Sequence, residues 1–144
     1  MADRPQRGPN RRRKKPTKKP QRILVVEDDL SIRELSAEVL IRFGYEVDSA
    51  ADGAAGWETL QAKRYDLLIT DHSMPKVTGL EMVKMLRGEN STVPIIMASA
   101  AIPVEELNRN PSLRINAILN KPYTITELLG TVREVLRATS SARK

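Results

Sequence analysis

The sequence contains no cysteine and only one histidine, and aromatic residues make up 3% of its 144 residues. The absence of cysteine excludes disulfide bonds and thiolate metal sites, and a single histidine excludes a zinc site built from several histidines. No apolar run approaches the roughly 20 residues that a membrane-spanning helix needs, and no apolar segment follows the basic N-terminus as in a secretory signal. These absences predict a soluble, cytoplasmic protein.

The net charge of +6 is concentrated at the N-terminus. Residues 1–22 hold ten basic residues and one acidic residue, a net charge of +9, whereas the remainder has a net charge of −3. The same 22 residues include four prolines and no Val, Ile, Leu, Phe, Trp or Tyr, so they cannot bury enough apolar surface to offset the entropy of ordering. We therefore predict a disordered basic tail over residues 1–22, one folded domain over residues 23–138 and a short polar end over residues 139–144.

Beyond the tail, short apolar runs alternate with helical patterns. The predicted strands cover residues 23–26, 45–49, 66–70, 93–98 and 115–119. The first predicted helix has an apolar stripe at helical spacing, formed by Ile32, Leu35, Val39 and Phe43. The last predicted helix follows a capping box at Thr124 and Glu127 and should face inward through Ile125, Leu128, Leu129, Val132, Val135 and Leu136. Because parallel strand pairs need crossover connections, these repeats predict an α/β fold with a five-stranded parallel sheet.

Chemically useful side chains follow or close four of the predicted strands. They are Glu27, Asp28 and Asp29 at the first strand, Asp71 at the third, Ser99 at the fourth and Lys121 at the fifth. In a parallel sheet the carboxyl ends of the strands form the working edge, so we expect these residues to meet. Clustered carboxylates raise one another's pKa, and Mg²⁺, which prefers oxygen ligands, would relieve that repulsion.

The order and spacing of these residues resemble the receiver domain of two-component response regulators. The resemblance covers residues 23 to about 138 and includes the pairs Met74-Pro75 and Lys121-Pro122. Its spacings are 44 residues from Glu27 to Asp71, 28 from Asp71 to Ser99 and 22 from Ser99 to Lys121. The family implies a flavodoxin-like, doubly wound sheet in the order 2-1-3-4-5 with five helices.

The resemblance implies a role for each residue of the predicted site. Asp71 would accept the phosphoryl group. Mg²⁺ would be held by Glu27, Asp28, Asp71 and the backbone carbonyl of Ser73. Ser99 would supply the switch hydroxyl, and Lys121 the positive charge beside the phosphoryl group.

Four further features bear on the implied switch. The family often has an aromatic residue three positions before the lysine, where this chain has Ile118, so an aromatic switch is missing. The Lys121-Pro122 peptide is expected to be cis, as in many relatives. Ser73 and Ala101 lie where the family tunes the lifetime of the phosphoryl group, and both are small. His72 is interpreted as a loop residue rather than a phosphohistidine.

The implied function is that of a stand-alone response regulator, which is not an enzyme beyond its own phosphorylation and dephosphorylation. A histidine kinase or phosphotransfer protein would phosphorylate Asp71, and a downstream protein or a second copy of the chain would read the changed surface. Because only 23 residues follow Lys121, no output domain is expected.

Two other functions are alternatives to this one. The first is a module that binds nucleic acid or an acidic partner through residues 1–22, nonspecifically and with strong salt dependence. The second is a phosphatase of the haloacid dehalogenase type, which is disfavoured because Ser73 stands where that mechanism needs a second aspartate.

Overall fold

The computed structural model describes residues 19–142. The first 18 residues of the predicted disordered tail lie outside this range. The strands are β1 (Arg22–Val26), β2 (Glu46–Ala50), β3 (Leu67–Thr70), β4 (Ile95–Ser99) and β5 (Ala117–Asn120). The helices are α1 (Leu30–Arg42), α2 (Gly53–Ala62), α3 (Gly79–Gly88), α4 (Val104–Arg109) and α5 (Ile125–Ala142), with a 3-10 turn at Pro111–Leu113.

The five strands form one parallel sheet in the order β2-β1-β3-β4-β5, which confirms the predicted topology. Successive side chains of β1 point to opposite faces. Ile23 and Val25 join a core with α1 and α5, whereas Leu24 and Val26 join a second core with α2 and α3. Helices on both faces explain why the central strands are continuously apolar rather than alternating.

Helix α1 packs through a face that coincides only in part with its apolar stripe. Leu35 and Phe43 belong to the stripe, yet they are 53% and 58% exposed. The buried residues of the helix are Ser36, Val39 and Leu40. A buried serine is tolerated here because its hydroxyl lies 3.4 Å from the hydroxyl of Tyr123. The stripe pattern missed Ser36 because it selects apolar residues only.

Helix α5 follows its predicted pattern except in its first turn. Leu128, Leu129, Val132, Val135 and Leu136 are buried, as expected, and Ile125 is 48% exposed, against expectation. Ile125 begins the helix, one turn before the residues that pack on the sheet. The helix continues to Ala142, beyond the predicted domain end at residue 138.

The domain begins at Arg22, which the charge pattern had assigned to the tail. Its backbone N–H donates to Asp66 Oδ2 at 2.8 Å, and its guanidinium lies 3.4 Å from the carboxylate of Glu46. The guanidinium also lies over the ring of Tyr65 at 5.7 Å. These contacts fasten the start of β1 to both neighbouring strands. Within residues 19–142, no helix is long and apolar enough to cross a membrane.

The two leucines of α1 provide a test of the observed packing. Leu40 is fully buried, so Leu40→Ala should lower the free energy of unfolding by about 2–5 kcal/mol through lost burial and the cavity that remains. Leu35→Ala removes the same atoms from an exposed site and should change it by less than about 1 kcal/mol. Urea unfolding measures both values. Equal losses would contradict the observed orientation of α1.

Candidate functional site

The sheet ladder extends one residue beyond the strands and delivers three side chains to the carboxyl edge. The backbone N–H of Asp71 donates to Val26 O at 3.0 Å, and that of Glu27 donates to Ala50 O at 3.1 Å. The N–H of Lys121 donates to Ser99 O at 3.0 Å. The hydrogen bonds of the sheet therefore extend to the main chain of Glu27, Asp71 and Lys121.

Lys121 bridges two buried carboxylates. Its Nζ lies 2.7 Å from Glu27 Oε1 and 3.0 Å from Asp71 Oδ2. The Glu27 and Asp71 side chains are 5% and 7% exposed, and that of Lys121 is 15% exposed. Ion pairs removed from water in this way are weakly screened by salt. The ammonium thus balances negative charge that would otherwise oppose folding of this edge.

The three groups of the bridge have shifted pKa values. Burial raises the pKa of Glu27, and its hydrogen bond from Lys121 offsets only part of this rise. Burial also tends to raise the pKa of Asp71, but hydrogen bonding from Ser99 and Lys121 outweighs it and holds the pKa below its usual value. The pKa of Lys121 is raised because its two carboxylate partners outweigh burial. At neutral pH, Asp71 is therefore an ionised carboxylate beside a charged lysine.

Three carboxylates converge closely enough to share a cation. Glu27, Asp28 and Asp71 each offer an oxygen, and these oxygens lie within 4.8 Å of one another. Asp28 is exposed, whereas the other two are buried, so the cluster opens to solvent on the Asp28 side. An all-oxygen set that leaves room for water is what Mg²⁺ prefers. Ser73 lies in the exposed loop two residues after Asp71, and ligation by its carbonyl stays a prediction.

Ser99 ends β4 at the same edge and is 1% exposed. Its hydroxyl accepts a hydrogen bond from the backbone N–H of Ala101 at 3.2 Å, which ties it to the loop leading to α4. Ile118 lies on β5 and is 44% exposed. An exposed aliphatic side chain thus occupies the position where the family often has an aromatic residue. The Lys121-Pro122 peptide is cis, as predicted.

His72 has a structural role that its sequence position did not indicate. Its backbone N–H donates to Asp71 Oδ1 at 2.6 Å, and its ring Nδ1 accepts from the N–H of Leu80 at 3.3 Å. A side chain on Gly79 would place its Cβ 2.2 Å from the carbonyl oxygen of Asp71. Glycine therefore lets the start of α3 approach the Asp71 main chain, and the ring of His72 binds the first turn of that helix.

A mainly apolar groove of about 320 Å³ opens beside Lys121. It runs between α1 and the loop after β5, and its lining is Ile32, Leu35, Ser36, Ala100, Lys121, Pro122 and Tyr123. The exposed side chain of Leu35, a member of the apolar stripe of α1, forms part of this groove. The groove thus places an apolar surface next to the charged edge of the sheet.

The fold and this edge agree with a known family. The family model of the response regulator receiver domain matches residues 23–133. The chain therefore belongs to the response regulator receiver domain family. Response regulators take phosphoryl groups from histidine kinases, and their receiver domains are signalling proteins that typically bind Mg²⁺.

Two curated relatives illustrate the similarity. Over 118 residues the chain is 36% identical to the response regulator MprA of Mycobacterium tuberculosis, covering 82% of this chain and 51% of MprA. Over 116 residues it is 34% identical to the probable transcriptional regulatory protein SilR of Salmonella typhimurium, covering 81% and 51%. The chain thus spans about half the length of the curated relatives it matches.

Solved structures show the same likeness. The chemotaxis response regulator CheY4 of Vibrio cholerae superposes with a TM-score of 0.73 at 33% identity, covering 81% of this chain and 98% of CheY4. The response regulator TrrA of Thermotoga maritima, solved in complex with Mg²⁺ and BeF, gives a TM-score of 0.71 at 31% identity, covering 80% and 98%.

Removal of the bridging ammonium should make stability depend on pH. In Lys121→Met the carboxyls of Glu27 and Asp71 lose their shared counter-charge, so the pKa of each rises. A carboxyl group whose pKa is higher in the folded state than in the unfolded state destabilises the folded protein at pH values above both pKa values. This destabilisation disappears as the pH falls from the folded-state pKa to the unfolded-state pKa. We expect a loss of about 1–3 kcal/mol near pH 7 that shrinks toward about pH 5.

Urea unfolding of the wild type and the variant across this pH range measures the difference. Lys63→Met is the matched control, since Lys63 lies 3.5 Å from Asp48 in an exposed pair and should contribute little. A difference between Lys121→Met and the wild type that does not vary with pH would contradict the assigned bridge.

Proposed function

We propose that the chain is a response regulator that accepts a phosphoryl group on Asp71 in an Mg²⁺-dependent reaction. The observation that carries this proposal is the placement of Lys121 against Asp71 and Glu27, with Asp28 beside them at the open side of the cluster. The resulting site combines an ionised nucleophile, a cation at its side and oxygen ligands for a divalent ion. A cytoplasmic location forms part of the proposal.

Phosphoryl transfer needs an in-line nucleophile and neutralisation of the charge on the phosphoryl oxygens. The lowered pKa of Asp71 keeps its carboxylate ionised and able to attack. Lys121, already within 3.0 Å of Asp71 Oδ2, supplies one positive charge to the transferred group. Glu27, Asp28, Asp71 and the carbonyl of Ser73 would hold Mg²⁺, which when bound supplies further charge neutralisation.

Phosphorylation would be read through Ser99 and the loop that follows it. The Ser99 hydroxyl is held by the N–H of Ala101, two residues along that loop. Because the hydroxyl accepts from this N–H, its own O–H remains able to donate. A phosphoryl oxygen on Asp71 would accept that O–H and draw Ser99, with the loop bonded to it, toward a second position. Helix α4 has no buried residue and no side-chain cap at its start, so little packing opposes its movement.

The groove beside Lys121 supports transfer from a protein donor. It is apolar, lies next to the acceptor and includes an exposed leucine of α1. A histidine kinase or phosphotransfer protein that covers this groove would bring its phosphohistidine to the edge that holds Asp71. A downstream partner, or a second copy of the chain, would then read the surface around α4 and Ile118.

Phosphorylation by acetyl phosphate tests the assignment of Asp71. With Mg²⁺ present, the wild type should gain one phosphoryl group by intact mass spectrometry, and chelation of Mg²⁺ should prevent this. Asp71→Asn should not be labelled, because an amide lacks the nucleophilic carboxylate. Asp66→Asn is the matched control: residue 66 precedes the same strand at its opposite end and can still accept from Arg22. Equal labelling of Asp71→Asn and the wild type would refute the proposal.

A second candidate function rests on the charge of the N-terminal residues. We infer that residues 1–22, with their net charge of +9, bind duplex DNA through its phosphates. Residues 1–22 include no aromatic side chain on which a base could stack, so this binding would be nonspecific. Arg22 starts β1 at the amino edge of the sheet, whereas Asp71 lies at the carboxyl edge. Tethering and phosphorylation would therefore use opposite edges of the domain.

Deletion of residues 1–19 tests this second function and spares Arg22, which belongs to β1. Fluorescence anisotropy with duplex DNA should show binding by the full chain that weakens steeply with salt, by about 0.9 log units per log unit of salt for each neutralised phosphate. The deletion should abolish that binding while leaving labelling by acetyl phosphate intact. A full chain that fails to bind, or a deletion that binds equally, would remove this candidate.

A further inference from the structure

We infer that Arg33 is a positioning residue for the metal-binding turn and that it strengthens Mg²⁺ binding by orienting Asp28. The inference deepens the proposed function and rests on it. Arg33 lies on α1, one turn beyond the helix start, and nothing in its sequence position marks it as part of the site.

The contact is a single hydrogen bond from the helix to the turn. Arg33 Nη1 donates to the backbone carbonyl oxygen of Glu27 at 2.8 Å. The turn between β1 and α1 is short: Glu27 and Asp28 separate the end of the strand from Asp29, which caps the helix by accepting from the N–H of Ile32 at 3.0 Å. The side chain of Arg33 therefore extends past the start of its own helix and forms a hydrogen bond with the preceding turn.

The position of that carbonyl determines the course of the next residue. The peptide group is planar, so the carbonyl of Glu27, the N–H of Asp28 and the Cα of Asp28 move together. The guanidinium of Arg33 is anchored on a helix, so its hydrogen bond to this carbonyl restrains the plane of the Glu27–Asp28 peptide group. Asp28 is the exposed member of the three-carboxylate cluster, so burial does not hold its side chain in place.

The other polar atoms of Glu27 have partners that do not act on this peptide. Its N–H donates to Ala50 O, Oε1 pairs with Lys121, and Oε2 accepts from the N–H of Asp29 at 3.1 Å. The carbonyl oxygen of Glu27 belongs to the peptide group that joins Glu27 to Asp28, and it accepts a hydrogen bond from Arg33. Loss of the guanidinium would remove this hydrogen bond from the Glu27–Asp28 peptide group, while the carboxylate of Glu27 would keep its own partners.

Positioning and charge predict opposite signs for the effect of removing Arg33. A guanidinium near the cluster repels a divalent cation, so if charge dominated, its removal would tighten Mg²⁺ binding. If positioning dominates, removal loosens Asp28 and weakens binding. Groups that orient metal ligands typically contribute about 10–100-fold in metal affinity. The direction of the change therefore separates the two effects.

The experiment compares Arg33→Met, which removes the charge and the donors, with Arg33→Lys, which keeps a charge and a donor. Isothermal titration with Mg²⁺ should give a Kd about tenfold higher for Arg33→Met, and Arg33→Lys should recover most of the wild-type affinity. Arg42→Met is the matched control, since Arg42 lies on the same helix and pairs with Glu38 on an exposed face. Its Kd should equal that of the wild type.

A kinetic split distinguishes positioning from a general structural defect. In labelling by acetyl phosphate, Arg33→Met should need about tenfold more Mg²⁺ for half-maximal rate while reaching the wild-type rate at saturation. A lower saturating rate would overturn the inference, because it would indicate damage beyond the metal site. If Arg33→Met does not fold, Arg33→Gln, which shortens the side chain and removes its charge, takes its place.

Mg²⁺ binding and labelling of the wild type test the proposed function, whereas Mg²⁺ binding by the variants tests the role of Arg33. If the wild type binds no Mg²⁺ and Asp71 is not labelled, the proposed function fails. If the wild type binds Mg²⁺, Asp28→Asn weakens binding and Arg33→Met binds equally well or more tightly, only the role of Arg33 is overturned.

Discussion

The ammonium of Lys121 between the carboxylates of Glu27 and Asp71 is the interaction on which this edge of the protein depends. Two carboxylates that are almost fully buried would repel each other and lose their hydration, which is costly without a counter-charge. One lysine reduces both costs. At Asp71, hydrogen bonding from Ser99 and Lys121 outweighs burial and lowers the pKa, whereas at Glu27 burial outweighs Lys121 and raises the pKa. Two chemically similar groups therefore differ in how readily they ionise.

The bridge depends on the topology of the sheet. Its members come from the ends of β1, β3 and β5, and sequence separations of 44 and 50 residues are closed because parallel strands end at the same edge. Hydrogen bonds continue the ladder into Glu27, Asp71 and Lys121, so the sheet holds the main chain of these three residues. The loop after Ser99 and helix α4 lack such support, which suits them to change position. The main chain of Asp71 held by the sheet and the loosely packed α4 thus follow the ends of neighbouring strands, β3 and β4.

Much of this arrangement was predictable from the sequence. Apolar runs that alternate with helical patterns predicted a parallel α/β fold, and the polar residues that follow the strands indicated which side chains would meet. The sheet order was implied by the resemblance to receiver domains. Predictions of helix faces were less accurate. Leu35 and Phe43 fit an apolar stripe and are exposed, whereas Ser36 is buried, because a face is chosen by what packs against it and not by its composition. Arg22 looked like part of a basic tail, but its partners Glu46 and Asp66 are distant in sequence.

Local sequence patterns were sufficient to predict the fold class and the residues that meet at the carboxyl edge, because burial and charge repeat with the period of each element. How those residues are held became visible in the tertiary structure alone. Lys121 bridges two carboxylates, and Arg33 donates a hydrogen bond to the carbonyl of Glu27. His72 accepts a hydrogen bond from the first turn of α3, and Gly79 lets that helix approach Asp71. These contacts depend on side-chain directions and on distances between separate elements. Neither is encoded in a local pattern, since both arise from packing of the whole domain.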